Sequence, residues 1–94
     1  MLPNHIRTSW GEQAWSAKDI FLVLKYHKEN QFIILGGDVL TPELIHNYAS
    51  WFYNVNPKLS KEENVQQSYE VARRYLERYT GQFGYDDYVV LVVK

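Results

Sequence analysis

Apolar positions in this chain fall into blocks of two periods, one helical and one strand-like. The first block joins Ala17, Ile20, Leu24 and His27 at helical spacing, with Phe21 and Val23 widening the face. Ser16 and Asp19 form an S-x-x-D capping pair ahead of it, and Trp15 is placed to staple onto Ile20. These positions predict a helix from Ser16 to the polar pair Asn30-Gln31. Residues 1–9 are polar, carry Pro3 and read as an irregular lead-in, while 10–15 read as a loop or one extra helical turn.

Next come four consecutive apolar residues, Phe32-Ile33-Ile34-Leu35, which run into Gly36-Gly37-Asp38-Val39-Leu40. No polar residue alternates among the first four, as expected of a strand buried on both faces. Paired glycines mark a bend, a bulge or a close approach of a second backbone, and a bend there would deliver Asp38 to the rim of the domain. Residues 41–54 admit two readings. Thr41-Pro42-Glu43 can open a helix carrying Ile45, Tyr48, Ala49 and Phe52 on one face. The aromatic density after Tyr48 and the stop at Asn54-Val55-Asn56-Pro57 favour a strand over 48–54 paired with the Phe32 strand.

Ser60-Lys61-Glu62-Glu63 is an S-x-x-E capping box, followed by Val65, Tyr69, Ala72, Leu76 and Tyr79 in a single helical stripe that Gly81 would end. A turn at Gly84-Tyr85-Asp86-Asp87 leads to Tyr88-Val89-Val90-Leu91-Val92-Val93, a β-branched and buried strand. The expected fold is α+β: a small three-stranded mixed sheet with two helices packed on it, in the order α-β-β-α-β. It forms one domain over residues 1–94.

Composition narrows the function classes. A net charge of −1 provides no field for nucleic acid or an anionic membrane. The chain has no cysteine, which excludes disulfides and thiolate chemistry and agrees with a cytoplasmic location. No stretch approaches the ~20 apolar residues of a membrane span. Aromatic residues make up 16% of the chain, and its eight tyrosines exceed what a small core buries with satisfied hydroxyls. Some of them are therefore expected at a partner surface, where Tyr and Trp dominate contact energetics.

Motifs for chemistry are missing. His5, His27 and His46 lack metal-ligand spacing. Gly36-Gly37-Asp38 has neither the third glycine of a dinucleotide turn nor the Lys-Ser/Thr of a phosphate loop. No serine sits in a G-x-S-x-G elbow. The basic residues after Lys58 alternate with Glu62, Glu63, Glu70 and Glu77, the pattern of a solvated helix face. No cofactor, metal or catalytic turnover is expected.

Five segments carry a family resemblance. Ala14-Trp15-Ser16-Ala17-Lys18-Asp19 with its helix, then Ile34-Leu35-Gly36-Gly37-Asp38-Val39, resembles the family 40 immunity proteins of bacterial polymorphic toxin systems. The family's later segments have counterparts in Tyr48-Ala49-Ser50-Trp51-Phe52, Ser68-Tyr69-Glu70-Val71-Ala72 and Tyr88-Val89-Val90-Leu91-Val92. Ala49-Ser50 departs from the family's acid-amide pair, whereas Asp38, Trp51 and Tyr69 carry over by position. The resemblance implies a cytoplasmic protein that binds and neutralises a cognate toxin, encoded by an adjacent gene, in a stoichiometric complex.

Aromatic anchors and charge partners dominate interface energetics, which makes Asp38, Trp51, Tyr53, Tyr85, Asp86 and Asp87 the contact candidates. For Trp51 core packing competes with that role, and for Asp38 a cap on the bend after Gly37 does. Two other readings remain beside it: a homodimer that uses the aromatic surplus for self-association, and a small enzyme built on carboxylates gathered in space.

Overall fold

A computed structural model describes residues 2–94. The elements are β1 (Ile6–Arg7), β2 (Gln13–Ser16), α1 (Ile20–Glu29), β3 (Ile34–Leu40), β4 (His46–Phe52), α2 (Lys61–Phe83) and β5 (Tyr88–Val93). Among the described residues the architecture is α+β with two helices, but the sheet has five strands in the spatial order β1-β2-β5-β3-β4. Every pairing is antiparallel. The expected three-stranded mixed sheet and its α-β-β-α-β order are thus corrected to β-β-α-β-β-α-β. Helix α2 carries the chain from β4 to β5, and these two strands flank β3 on either side, a split βαβ arrangement.

The added strands lie where a helix start was expected. Ser16 pairs with Tyr88 of β5, and its Oγ accepts from the Lys18 amide at 3.2 Å. A serine hydroxyl bonded two residues ahead closes a turn rather than capping a helix. Helix α1 therefore begins at Ile20, behind an Asp19 N-cap that makes no side-chain cap bond. Trp15 and Ile20 still meet in the core, one from strand β2 and the other from the helix. The C-terminus of α1 places Gln31 at φ 61°, where the Phe32 amide donates to the His27 carbonyl at 2.9 Å. That left-handed turn delays β3 until Ile34 and leaves Phe32 exposed.

The capping box at α2 forms as its sequence implies, with Glu63 N–H donating to Ser60 Oγ and Ser60 N–H to Glu63 Oε1, both at 3.1 Å. The helix runs through Gly81 and stops at Gly84, whose φ of 84° only glycine adopts without strain. Residues 41–54 form a hairpin loop and strand β4, not a helix.

Both helices cover one face of the sheet. Ile20, Val23 and Leu24 from α1 and Ala72 and Leu76 from α2 pack onto Trp15, Ile34, Val39, Trp51 and Val89. The opposite face buries a smaller cluster of Ala14, Leu40 and Val90 beneath Leu44 and Tyr88. Helix and sheet are also tied by a polar link. The Ile34 amide donates to Ser68 Oγ at 2.9 Å, and that hydroxyl donates to the Val65 carbonyl at 3.0 Å. Ser68 is fully buried, so Ser68→Ala leaves a dry amide without a partner. Chemical denaturation of Ser68→Ala is expected to give a loss of about 1–3 kcal/mol. A change below about 0.5 kcal/mol would remove this link from the account.

At the first glycine of the pair the register of β3 against β5 shifts, a bulge between Ile34 and Gly36. β3 continues through Gly36 and Gly37 to Leu40, and Asp38 lies within it, opposite Ser50 on one side and Val90 on the other. The pair is needed because β4 lies close. A Cβ at Gly37 would enter the Trp51 indole and come within 2.7 Å of the Val90 carbonyl oxygen, while Gly81 on α2 has open space. Gly37→Ala is accordingly expected to destabilise by about 2–3 kcal/mol, and Gly81→Ala to stabilise by up to about 1 kcal/mol. Thermal melts of the two variants against wild type check the opposite signs.

Candidate functional site

Strand β4 determines what this end of the sheet presents. Its residues alternate, so Trp51 turns toward the helices while Ser50 and Phe52 turn away from them. Trp51 is 9% exposed, its ring lies over Gly37, and it stacks on Tyr75 of α2 with centroids 5.1 Å apart at 29°. Burial and, second, the charge of Asp38 raise the Tyr75 hydroxyl above the usual phenol range. Phe52 on the other face is 74% exposed.

The regular ladder breaks between Ser50 and His46. β3 advances by two residues from Asp38 to Leu40 while β4 covers four, so Asn47 and Tyr48 bulge out. Tyr48 sits at φ 69° and is 97% exposed. The Asn47 side chain stabilises the bulge: its Oδ1 accepts from the Ala49 amide at 2.9 Å, and its Nδ2 donates to the Tyr79 hydroxyl at 2.6 Å. Tyr79 in turn donates to Asp87 in the α2–β5 turn. One chain of hydrogen bonds thus joins the β4 bulge, helix α2 and the turn before β5. Burial first, and the bonded Asp87 carboxylate second, push the Tyr79 hydroxyl up to about 12.

Between β4 and α2 lies a groove of about 180 Å³ lined by Ala49, Tyr75, Arg78, Tyr79, Gln82 and Phe83. The short Ala49 side chain leaves its floor open. Arg73 pairs with Glu70 at 2.9 Å and Glu77 at 2.6 Å, whereas Arg78 makes no ion pair among the described residues.

The six contact candidates do not gather into one patch. Trp51 is core, and Asp38 is half-buried in the middle of β3 rather than at a rim. Tyr53 stands at the far end of β4, where its hydroxyl donates to Asn64 Oδ1 at 2.6 Å and pins the β4–α2 connection. Asn64 is itself buried and bonds the Asn56 and Ser60 carbonyls at 3.0 Å. Tyr85 and Asp86 are exposed in the turn before β5, and Asp87 beside them is engaged by Tyr79. Tyr48, Phe52, Phe83 and Arg78 were not among these contact candidates. Tyr48 and Phe52 were visible as aromatics, but assigning their face requires the β4 register and bulge. Among the described residues no group of His, Cys, Asp or Glu is arranged to hold a metal ion, and no helix is long and apolar enough to cross a membrane.

A sequence profile described as immunity protein 40 matches residues 5–93. The chain belongs to the immunity protein 40 family. No curated protein and no solved structure matches it. For this immunity protein 40 member, the Leu-Gly-Gly-Asp-Val segment is a packing device: Gly37 makes room for Trp51, and Trp51 supports the β4 edge.

The Tyr79 network has a defined pH signature. A phenol raised from 10 to about 12 by folding stabilises the native state fully below pH 10, and that contribution is lost as pH rises through about 12. In an ultraviolet titration Tyr79 is expected among the last tyrosines to ionise. Tyr79→Phe should cost about 1–2 kcal/mol at neutral pH through its two lost hydrogen bonds, and flatten the stability decline on the alkaline side. An unchanged alkaline profile would contradict the assignment.

Proposed function

We propose that this chain is a one-domain cytoplasmic immunity protein of a bacterial polymorphic toxin system, which neutralises a cognate toxin by stoichiometric binding and without turnover. The observation that carries this reading is the family match, which extends over residues 5–93 and so over nearly the whole chain. The surface supports it as well. Exposed aromatic and apolar side chains at Ile45, Tyr48, Phe52, Phe83 and Tyr85 offer contact surface to a protein partner.

Of the contact candidates, Tyr85 and Asp86 offer an exposed aromatic beside a carboxylate, suited to a basic rim on the toxin. Asp38, Tyr53 and Asp87 act at the surface and within the fold together, because each is half-buried. Trp51 supports the strand that the toxin meets. The toxin is, on this proposal, encoded by the gene adjacent to this coding sequence.

Co-expression tests the proposal. The neighbouring gene product alone should stop growth, and adding this protein should restore it with recovery of a complex of fixed stoichiometry. A neighbour that is harmless alone, or still lethal beside this protein, would contradict it.

A further inference from the structure

The open side of β4 has a definite hydrogen-bonding pattern. The Tyr53 amide donates to the Leu35 carbonyl at 2.8 Å, which makes 35:53 a bonded pair of the β3–β4 ladder. In an antiparallel ladder bonded pairs recur every second residue, so 37:51 is the next one. The N–H and C=O of Ser50 and Phe52 therefore point away from β3, and β4 is the last strand on that side. Natural sheets blunt such edges with lysine, proline or a covering loop. β4 reads His46-Asn47-Tyr48-Ala49-Ser50-Trp51-Phe52, with no proline, lysine or acid. The bulge at Tyr48 limits the flat part to Ala49–Phe52.

Both flanks of this open edge suit a peptide chain. On the helix side runs the Ala49 groove, walled by Tyr75, Tyr79 and Phe83 and with Arg78 at its lining. On the other side stands Phe52, and Tyr48 is exposed at the bulge. An edge strand beside a helix-walled groove is the geometry that captures an extended peptide: the backbone ladder supplies affinity, and alternate side chains enter the groove.

We propose that an extended segment of the cognate toxin adds as a sixth strand along Ala49–Phe52. It places one apolar side chain in the groove and a carboxylate against Arg78. The inference rests on the immunity reading for the identity of the partner. The occupant is chosen by charge complementarity, since Arg78 is a cation without an ionic partner among the described residues. A second copy of this chain has a β4 without any carboxylate to offer Arg78.

The test uses the purified, catalytically inactivated product of the neighbouring gene as the probe. Arg78→Glu alters an exposed helix position and should fold normally while weakening binding by at least about tenfold. Ser50→Pro removes an amide that faces away from β3 and is tolerated at an edge, and it should cause a similar loss. Ala49→Leu fills the groove and gives a third readout should Ser50→Pro fail to fold. Wild-type affinity in folded Arg78→Glu and Ala49→Leu overturns the edge proposal while the immunity reading stands. A wild-type chain that neither binds nor protects overturns the immunity reading itself. Light scattering of the isolated chain should give a monomer, and a dimer abolished by Arg78→Glu or Ser50→Pro would make the occupant a second copy and contradict the assignment.

Discussion

The contact between the flat backbone at Gly37 and the Trp51 indole organises this structure. An aromatic ring can lie across a neighbouring strand only where that strand carries no side chain, and β3 meets this condition at Gly37. With Trp51 laid on β3, Tyr75 closes over it from α2, so a single stack joins β3 and β4 to the longer helix. Truncating such a ring typically costs about 3–5 kcal/mol, a large part of the stability of a small domain. The same contact turns Ser50 and Phe52 toward the opposite face.

That arrangement links stability to presentation. The residues that hold β4, namely Trp51 in the core, Asn47 through Tyr79 to Asp87 at the bulge, and Tyr53 through Asn64 at the far end, are all anchored on α2 or beside it. A strand fixed at its centre and both ends loses little conformational freedom when a partner strand is added, and such preorganisation favours affinity. The groove beside it exists because Ala49 is short where its neighbours on α2 are aromatic.

Much of the architecture was legible in the pattern of residues. The capping box at Ser60 specified the start of α2, and the apolar run from Tyr88 specified β5, because both signals are local. Strands β1 and β2 were not legible. They are only two and four residues long, and Ser16 and Asp19 have the types and spacing of a helix cap. The choice between turn and cap was made by pairing with Tyr88, a partner far along the chain. Gly36-Gly37 was read correctly as a site of close approach and of a bulge, but Asp38 beyond it lies mid-strand between β4 and β5 rather than at a rim. The candidate surface was the least legible part. Facing on β4 depends on a bulge set by Asn47, and Asp38, Tyr53 and Tyr85 were chosen by residue type without knowing which end of the sheet each would occupy.

Residue-resolved hydrogen exchange over β4, free and in complex with the inactivated toxin, tests the account most directly. In the free protein the Trp51 amide, bonded to β3, should be strongly protected while those of Ser50 and Phe52 exchange readily. In the complex the Ser50 and Phe52 amides should become protected as well. Protection of all three in the free monomer, or no change at Ser50 and Phe52 in a toxin complex that neutralises, would contradict a β4 edge that is held by Trp51 and open to a partner strand.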